Sequence, residues 1–421
     1  MVIAEVRSIL FCSCENRCRT ASRSEGRNKR PGCEGCGQLL AIPSTRPAST
    51  VPYPGDDRAQ PSMALQTAVN EVKHAAPLFL DRYAVTKIPA MKRPIDSLRD
   101  SAMSMEIGPS GGRITEMVKI GERLHTVKTD SIYRIMLADE IDPGRTNINV
   151  PNSQQKVLDY GSDSPFVAKT LLTAKQLFKK GFLGSDFESA QAIELSFECL
   201  KNLAAMSDTA SAFSRQDEEE ERQLAQLQIK DRSLALPSAP HLESRCKEFI
   251  QRADHALQAL FAIATMFYGS KFKGWFEGLA EEVSRKHKGD VHYIGLMSDV
   301  ATFCKSIRTT RNCVEHRKPN ERIEVCDFSL TSDNAVVPPT IAVYHPKFTQ
   351  PRIPISAYTT QVTEHIADTF ETLIAFMCSR NIDASAKIPV QVVELPENQR
   401  SNKLVKYSYG MVGGSQIIPL S

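Results

Sequence analysis

Residues 246–267 read CKEFIQRADHALQALFAIATMF, and this stretch decides the fold class. Cys246, Phe249, Ile250, Ala253, Leu257, Leu260, Phe261, Ala264 and Phe267 recur at i, i+3 and i+4, which gathers apolar side chains on one helical face. Its most apolar part, from Ala256 to Tyr268, still contains Gln258 and Thr265. It falls short of the roughly 20 residues that a bilayer span needs, so it reads as a buried helix.

Outward from this stretch the helical pattern repeats. Towards the N-terminus, Asp186 is placed to cap a helix carrying Ala190, Ile193, Leu195, Phe197, Leu200 and Leu203. The charge run Asp217 to Arg222 is a solvated helix face or a linker, and Pro237 and Pro240 close that region. Pro165 to Phe178 is helical in pattern. Towards the C-terminus the spacing predicts a short helix from Trp275 to about Lys286, ended by Gly289-Asp290. Another runs from near His292 to about His316 and is stopped by Pro319, and a last one covers about Ser356 to Cys378. Between these two, Arg322 to Leu330 and Thr340 to Tyr344 read as a hairpin around Ser332-Asp333-Asn334. Val390 to Leu395 and Leu404 to Tyr409 return to β-like alternation. Residues 65–160 are broken by Pro89, Pro94, Pro109, Gly111-Gly112, Pro143 and Pro151. Short helices and a few strands are expected there, one of them around Ser131 to Ala138.

The bulk numbers set bounds rather than identify. The 421 residues, 41% hydrophobic and 24% charged, are enough to bury a sizeable core. A net charge of +3 excludes a bulk polycation and leaves local basic patches as the route to nucleic acid. The N-terminus lacks a continuous apolar signal segment, so a cytoplasmic location with no membrane contact is expected. The eleven cysteines are then thiols or metal ligands.

The chemistry is concentrated at the end of the helix that precedes Pro319. Its apolar stripe is Ile294, Met297, Val300, Phe303, Cys304 and Ile307. The next position is Arg311, after which the stripe resumes at Val314. An arginine in line with a buried seam is costly unless it is paired or faces a cleft. Lys305, Arg308, Arg317, Lys318 and Arg322 surround it, against Glu315 and Glu321. Such a surface suits a phosphate-bearing ligand, with Arg308, Arg317 and Lys318 as candidate substrate-binding residues. An arginine five residues before a histidine is a minimal set for cleaving a phosphodiester: the imidazole moves protons and the guanidinium stabilises charge on phosphorus.

The segment Arg311-Asn312-Cys313-Val314-Glu315-His316 resembles the R-(N/D/H)-x-x-x-H form of the RX4–6H motif of the HEPN superfamily. Those are helical-bundle proteins, many of them ribonucleases of toxin–antitoxin, phage-defence and RNA-processing systems. The resemblance implies an endoribonuclease that needs no metal. Arg311 and His316 would be catalytic with Asn312 as a polar support, RNA would be the substrate, and a homodimer would face its motifs together. An antitoxin-like protein is a further implied partner, and a non-catalytic helical module binding RNA or protein is the alternative. On a straight helix five residues leave Arg311 and His316 about 140° apart. They share a face only if the helix loosens near Pro319 or a partner subunit supplies one of them.

Five cysteines lie within the first 36 residues. Cys12-Ser13-Cys14 and Cys33-Glu34-Gly35-Cys36-Gly37 resemble the two knuckles of a zinc ribbon, whose four thiolates hold one tetrahedral zinc. Cys18 offers a C-x3-C alternative with Cys14. The scattered histidines His241, His255, His287, His292, His345 and His365 show no ligand spacing.

The chain is therefore expected to be α+β with a dominant HEPN-like helical bundle. Residues 1–45 form a zinc-ribbon-like segment and 46–64 a flexible linker rich in Pro, Ser and Thr, with Met63 as a second candidate start. Residues 65–160 are mixed and irregular, 161–381 form the bundle with its hairpin at 322–345, and 382–421 form a β-like tail. If Cys12, Cys14, Cys33 and Cys36 bind structural zinc, freshly reduced full-length protein carries about one metal per chain. A chain beginning at Met63 carries none. Metal analysis finding no zinc in the full-length protein rules the ribbon out.

Overall fold

In the computed structural model, which describes residues 92–101, 108, 110–224, 233–316, 318–383, 389–413 and 416–420, the helix expected at 246–267 is α7, Leu242–Tyr268. Around it lie α6, Ser189–Leu224; α8, Phe276–Lys286; α9, Val291–Glu315; and α10, Ile355–Arg380. α7 buries Cys246, Phe249, Ile250, Ala253, Leu257, Leu260 and Ala264 along the predicted face. Each such large apolar side chain contributes about 1.5–3 kcal/mol on leaving water. α10 is the most enclosed: every residue from Leu373 to Cys378 is buried.

Two boundaries depart from the sequence pattern. Asp186 does not cap α6, which begins three residues later; its carboxylate accepts instead from the Ser185 hydroxyl at 3.1 Å. Of the two readings of the charge run Asp217 to Arg222, the helix face holds and the linker does not, since the run forms the last turns of α6 and carries that helix further than its apolar pattern. The Pro165–Leu177 region is one helical run, with α3, Pro165–Val167, and α4, Thr173–Leu177, joined through a π-helical stretch at Ala168–Leu172, and the single turn α5, Lys180–Leu183, follows it.

Short helices and strands do occupy the described part of 65–160, with a strand, Ile132–Met136, at the place expected around Ser131 to Ala138. The helices are α1, Pro94–Arg99, and α2, Ala138–Ile141, and the strands form one antiparallel sheet. Its strands are β1, Ile114–Ile120; β2, Arg123–Lys128; β3, Ile132–Met136; and β4, Ser153–Leu158, in the order β1-β2-β3-β4. Ile120 faces Arg123 across the turn Gly121-Glu122, where Gly121 has φ +57 and so turns the chain without a Cβ clash. One face places Val118, Ile120, Val127 and Ile132 against Val167, Leu171, Leu172, Phe197 and Leu200, which ties the sheet to α6 and the π-helical run. Residues 87–421 thus form one compact unit, with the sheet and the C-terminal tail packed on the helices.

The hairpin after α9 forms as expected and gains a strand. β5, Arg322–Cys326, pairs with β8, Thr340–Tyr344, in the register Arg322↔Tyr344 to Cys326↔Thr340. β6, Ser329–Leu330, and β7, Val336–Val337, extend it around Asn334 at φ +63. β9, Gln350–Pro354, adds to β8 as an edge, the one place in a sheet that tolerates Pro351 and Pro354. In the tail, β10, Gln391–Glu394; β11, Tyr407–Gly413; and β12, Gln416–Pro419, form a three-stranded sheet. Tyr409 anchors it: the ring is fully buried on Phe182, and its hydroxyl donates to the Leu177 carbonyl at 2.8 Å.

Beside that anchor, α10 carries Glu371, 3% exposed, with Oε1 unpaired and Oε2 3.6 Å from Nζ of Lys406. Burial raises its pKa above the ordinary 4.5, partly offset by Lys406 and Lys169. A raised carboxyl favours the folded state below 4.5, and that contribution is lost as pH climbs through the folded value. Glu371→Gln removes this dependence. Thermal melts at pH 5 and pH 8 should show the parent losing more stability over that interval than the variant; equal losses overturn the assignment.

Candidate functional site

α9 is built to end where the motif stands. Its first turn is capped by Asp290, whose Oδ1 accepts from the Tyr293 amide at 3.1 Å while Arg380 holds the same carboxylate at 2.6 Å. Its last helical residue is Glu315. His316 follows in a non-helical conformation, φ −123 and ψ 66, with its amide bonded to the Asn312 carbonyl at 2.8 Å. The helix therefore opens at His316, ahead of Pro319. The hairpin fixes this end in place: Cys313 is buried, its thiol contacts the Tyr344 carbonyl at 3.8 Å, and Ile323, Ile341 and Val343 share its core. Thr310 is buried too, bonded back to Ser306.

Arg311 does lie in a seam, with its side chain 32% exposed, and it is paired. Nη1 meets Glu315 Oε2 at 2.8 Å and Asn312 Oδ1 at 3.4 Å, and Nε lies 3.9 Å from Oδ2 of Asp254 on α7. Asp254 is only 2% exposed, takes a 2.6 Å bond from Gln258 Nε2, and keeps Oδ1 without a partner. A buried carboxylate with an orphan oxygen is costly, and the guanidinium opposite offsets that cost in part. Sequence reasoning missed Asp254, although the signal was present: a lone acid beside the apolar stripe of α7, as Arg311 is a lone base in the stripe of α9.

His316 is exposed, and among the described residues its ring has no hydrogen-bond partner. Asn312 is exposed beside it. The structure thus places Arg311 against α7 and His316 past the helix end, and brings Arg311 together with Asn312 and Glu315 rather than with the imidazole. Of the candidate substrate-binding residues, Arg308 lays its guanidinium over the Trp275 ring at 4.4 Å and has no ion pair among the described residues. Lys318 is paired with Glu321 at 2.7 Å, and Arg317 lies outside the described residues. Nearby, Lys305 pairs with Glu277 at 3.2 Å and Arg322 with Glu324 at 2.9 Å. Much of the basic patch is therefore neutralised locally.

Cys12, Cys14, Cys33 and Cys36 fall outside the described residues. Among the described residues no group of three His, Cys, Asp or Glu side chains is placed to hold a metal, and no helix is long and apolar enough to cross a membrane. Cys199, Cys246, Cys304 and Cys378 are buried thiols, each pushed well above the ordinary value by desolvation, and so serve as apolar packing. Comparison of the chain with protein-family models, with curated proteins and with solved structures finds no match.

Proposed function

We propose that the chain is an endoribonuclease of HEPN type, with Arg311 and His316 as its catalytic pair and Asn312 as their polar support. The observation that carries this reading is the seating of Arg311 on the buried Asp254. A helix seam built only for stability gains little from a desolvated ion pair, so its presence at the motif favours a functional constraint. Asp254 and Gln258 would orient the guanidinium, and an entering phosphate would displace Glu315 from it. His316, exposed and without a ring hydrogen bond among the described residues, would take the proton from the ribose 2′-hydroxyl. The 2′-oxygen then bonds to phosphorus, Arg311 stabilises the crowded anionic phosphorane, and the bond from phosphorus to the 5′-oxygen breaks as the His316 imidazolium returns its proton to that oxygen. A 2′,3′-cyclic phosphate remains. Because His316 and Arg311 diverge within one chain, the site would be completed across a twofold, the commonest arrangement of oligomers.

A second reading is a helical module that binds RNA or a protein partner without cleaving. The pairing of Arg311, Lys305, Lys318 and Arg322 with carboxylates favours it.

Incubation with labelled RNA separates the two. Cleavage should persist in EDTA, require the 2′-hydroxyl and spare DNA. Arg311→Ala and His316→Ala should each lower it at least 100-fold, in line with the loss of a charge-stabilising or proton-transferring group. Arg311→Lys should also fail, because an ammonium cannot reproduce the guanidinium fork. Arg317 and Lys318 substitutions should weaken RNA binding modestly and in a salt-dependent way. His316→Ala protein that cleaves RNA as fast as the parent eliminates the nuclease and leaves the module. Light scattering at micromolar concentration should show a homodimer; an active monomer eliminates the shared site.

A further inference from the structure

α8 and α9 run antiparallel and enclose a long open groove. It is lined on one side by Glu277, Glu281, Arg285 and Lys288, and on the other by Ser298, Thr302 and Lys305. Five turns of α9 set its direction. At 100° per residue, Ser298, Thr302, Lys305, Thr309 and Asn312 fall within about 80° of one another, and the Cα of His316 closes the same row. The groove ends where α8 begins, at Trp275 with Arg308 laid over its ring. From there the row continues uncovered to Asn312 and His316, both exposed. From Ser298 to His316 the row is about 27 Å long.

Its chemistry is hydroxyl, amide and cation. Lys305 is engaged by Glu277, and Arg285 by Glu282. Lys288 and Arg308, at the two ends, have no carboxylate in ion-pair distance among the described residues; Glu281 is the opposing unpaired charge. Two free cations separated by a row of hydroxyls suit a thin, extended polyanion. Phosphates would meet the cations, and sugars and base edges would meet the hydroxyls.

We propose that this groove is the track along which single-stranded RNA is held as it reaches His316. The proposal rests on the ribonuclease reading and names its substrate as an extended single strand. A length of about 27 Å falls within the reach of single-strand sites, which take roughly 4–16 nucleotides.

Full-length His316→Ala protein titrated with fluorescein-labelled twelve-residue oligouridylate gives the test by anisotropy. Added Thr302→Glu, which sets a carboxylate in the middle of the row on an exposed position, should raise Kd at least tenfold. Lys288→Glu should do likewise and should flatten the salt dependence, since each lost phosphate contact removes about 0.7 from the log–log slope. Lys201→Glu on α6 should change nothing, and an RNA hairpin stem should bind at least tenfold more weakly. Thr302→Glu and Lys288→Glu proteins that bind within twofold of their parent overturn the track, as does equal affinity for the stem. The two readings fail separately. If the wild-type chain leaves RNA intact while both groove variants lose binding, the track stands and the nuclease falls. If cleavage depends on His316 while the groove variants bind and cut normally, the nuclease stands and the track falls. A chain with no affinity for oligouridylate overturns the track and leaves the groove to a protein partner.

Discussion

The structure depends on enclosing one helix. α10 is apolar nearly all round towards its C-terminal end, and a helix of that kind has no stable position except inside the protein. α6, α7, α9, α4, the π-helical run, β8, β9 and β10 all pack against it. Each of those elements needs only one apolar stripe, because it has only α10 and its immediate neighbours to meet. The amphipathic helices and the small sheets are in this sense a shell whose inner faces are dictated by the segment they surround. Among the described residues two carboxylates are buried within that shell, Asp254 and Glu371, and each lies near a cation from another element.

What could be read from the chain follows from what is local. The spacing of apolar residues is a property of a dozen consecutive positions, so α7, α8, α9 and α10 were legible to within a few residues. β1 was not. Its ITEMVKI alternation is a fair strand signal, but the surrounding Pro and Gly outweighed it, and Gly111-Gly112 turn out to lie in the turn that leads into the strand. β9 was hidden by its own prolines, which an edge position permits. Asp254 stands out in its own segment as a lone acid beside the apolar stripe of α7, but its pairing with Arg311 is not a local property. Asp254 is more than fifty positions away, and only the packing of α7 on α9 brings the two together.

The same packing separates two properties that the motif string runs together. Arg311 belongs to the interior, braced by Asp254 and Glu315, whereas His316 belongs to the surface, released where α9 stops and the hairpin begins. This arrangement fixes the guanidinium when the helices pack and leaves the imidazole clear of α9. It also makes the hairpin part of the site. By gripping Cys313 and leading the chain away at Glu321, it sets how far α9 extends and which residue first escapes it.

The acidic end of α6 has a consequence of a different kind. Asp217, Glu218, Glu219, Glu220 and Glu221 occupy the last turns of a 36-residue helix, where the aligned peptide dipoles already present partial negative charge. Like charges crowd that end, and Arg222 offsets one of them through Glu219 at 3.3 Å. The cohesion of α6 is thus graded along its length: firm where Leu200, Leu203 and Phe213 are buried, and weak in its final turns. Its amide hydrogens should exchange with solvent fastest there. Added salt should slow that exchange by screening the repulsion, so the end of α6 acts as a gauge of ionic strength built into an otherwise tightly packed molecule.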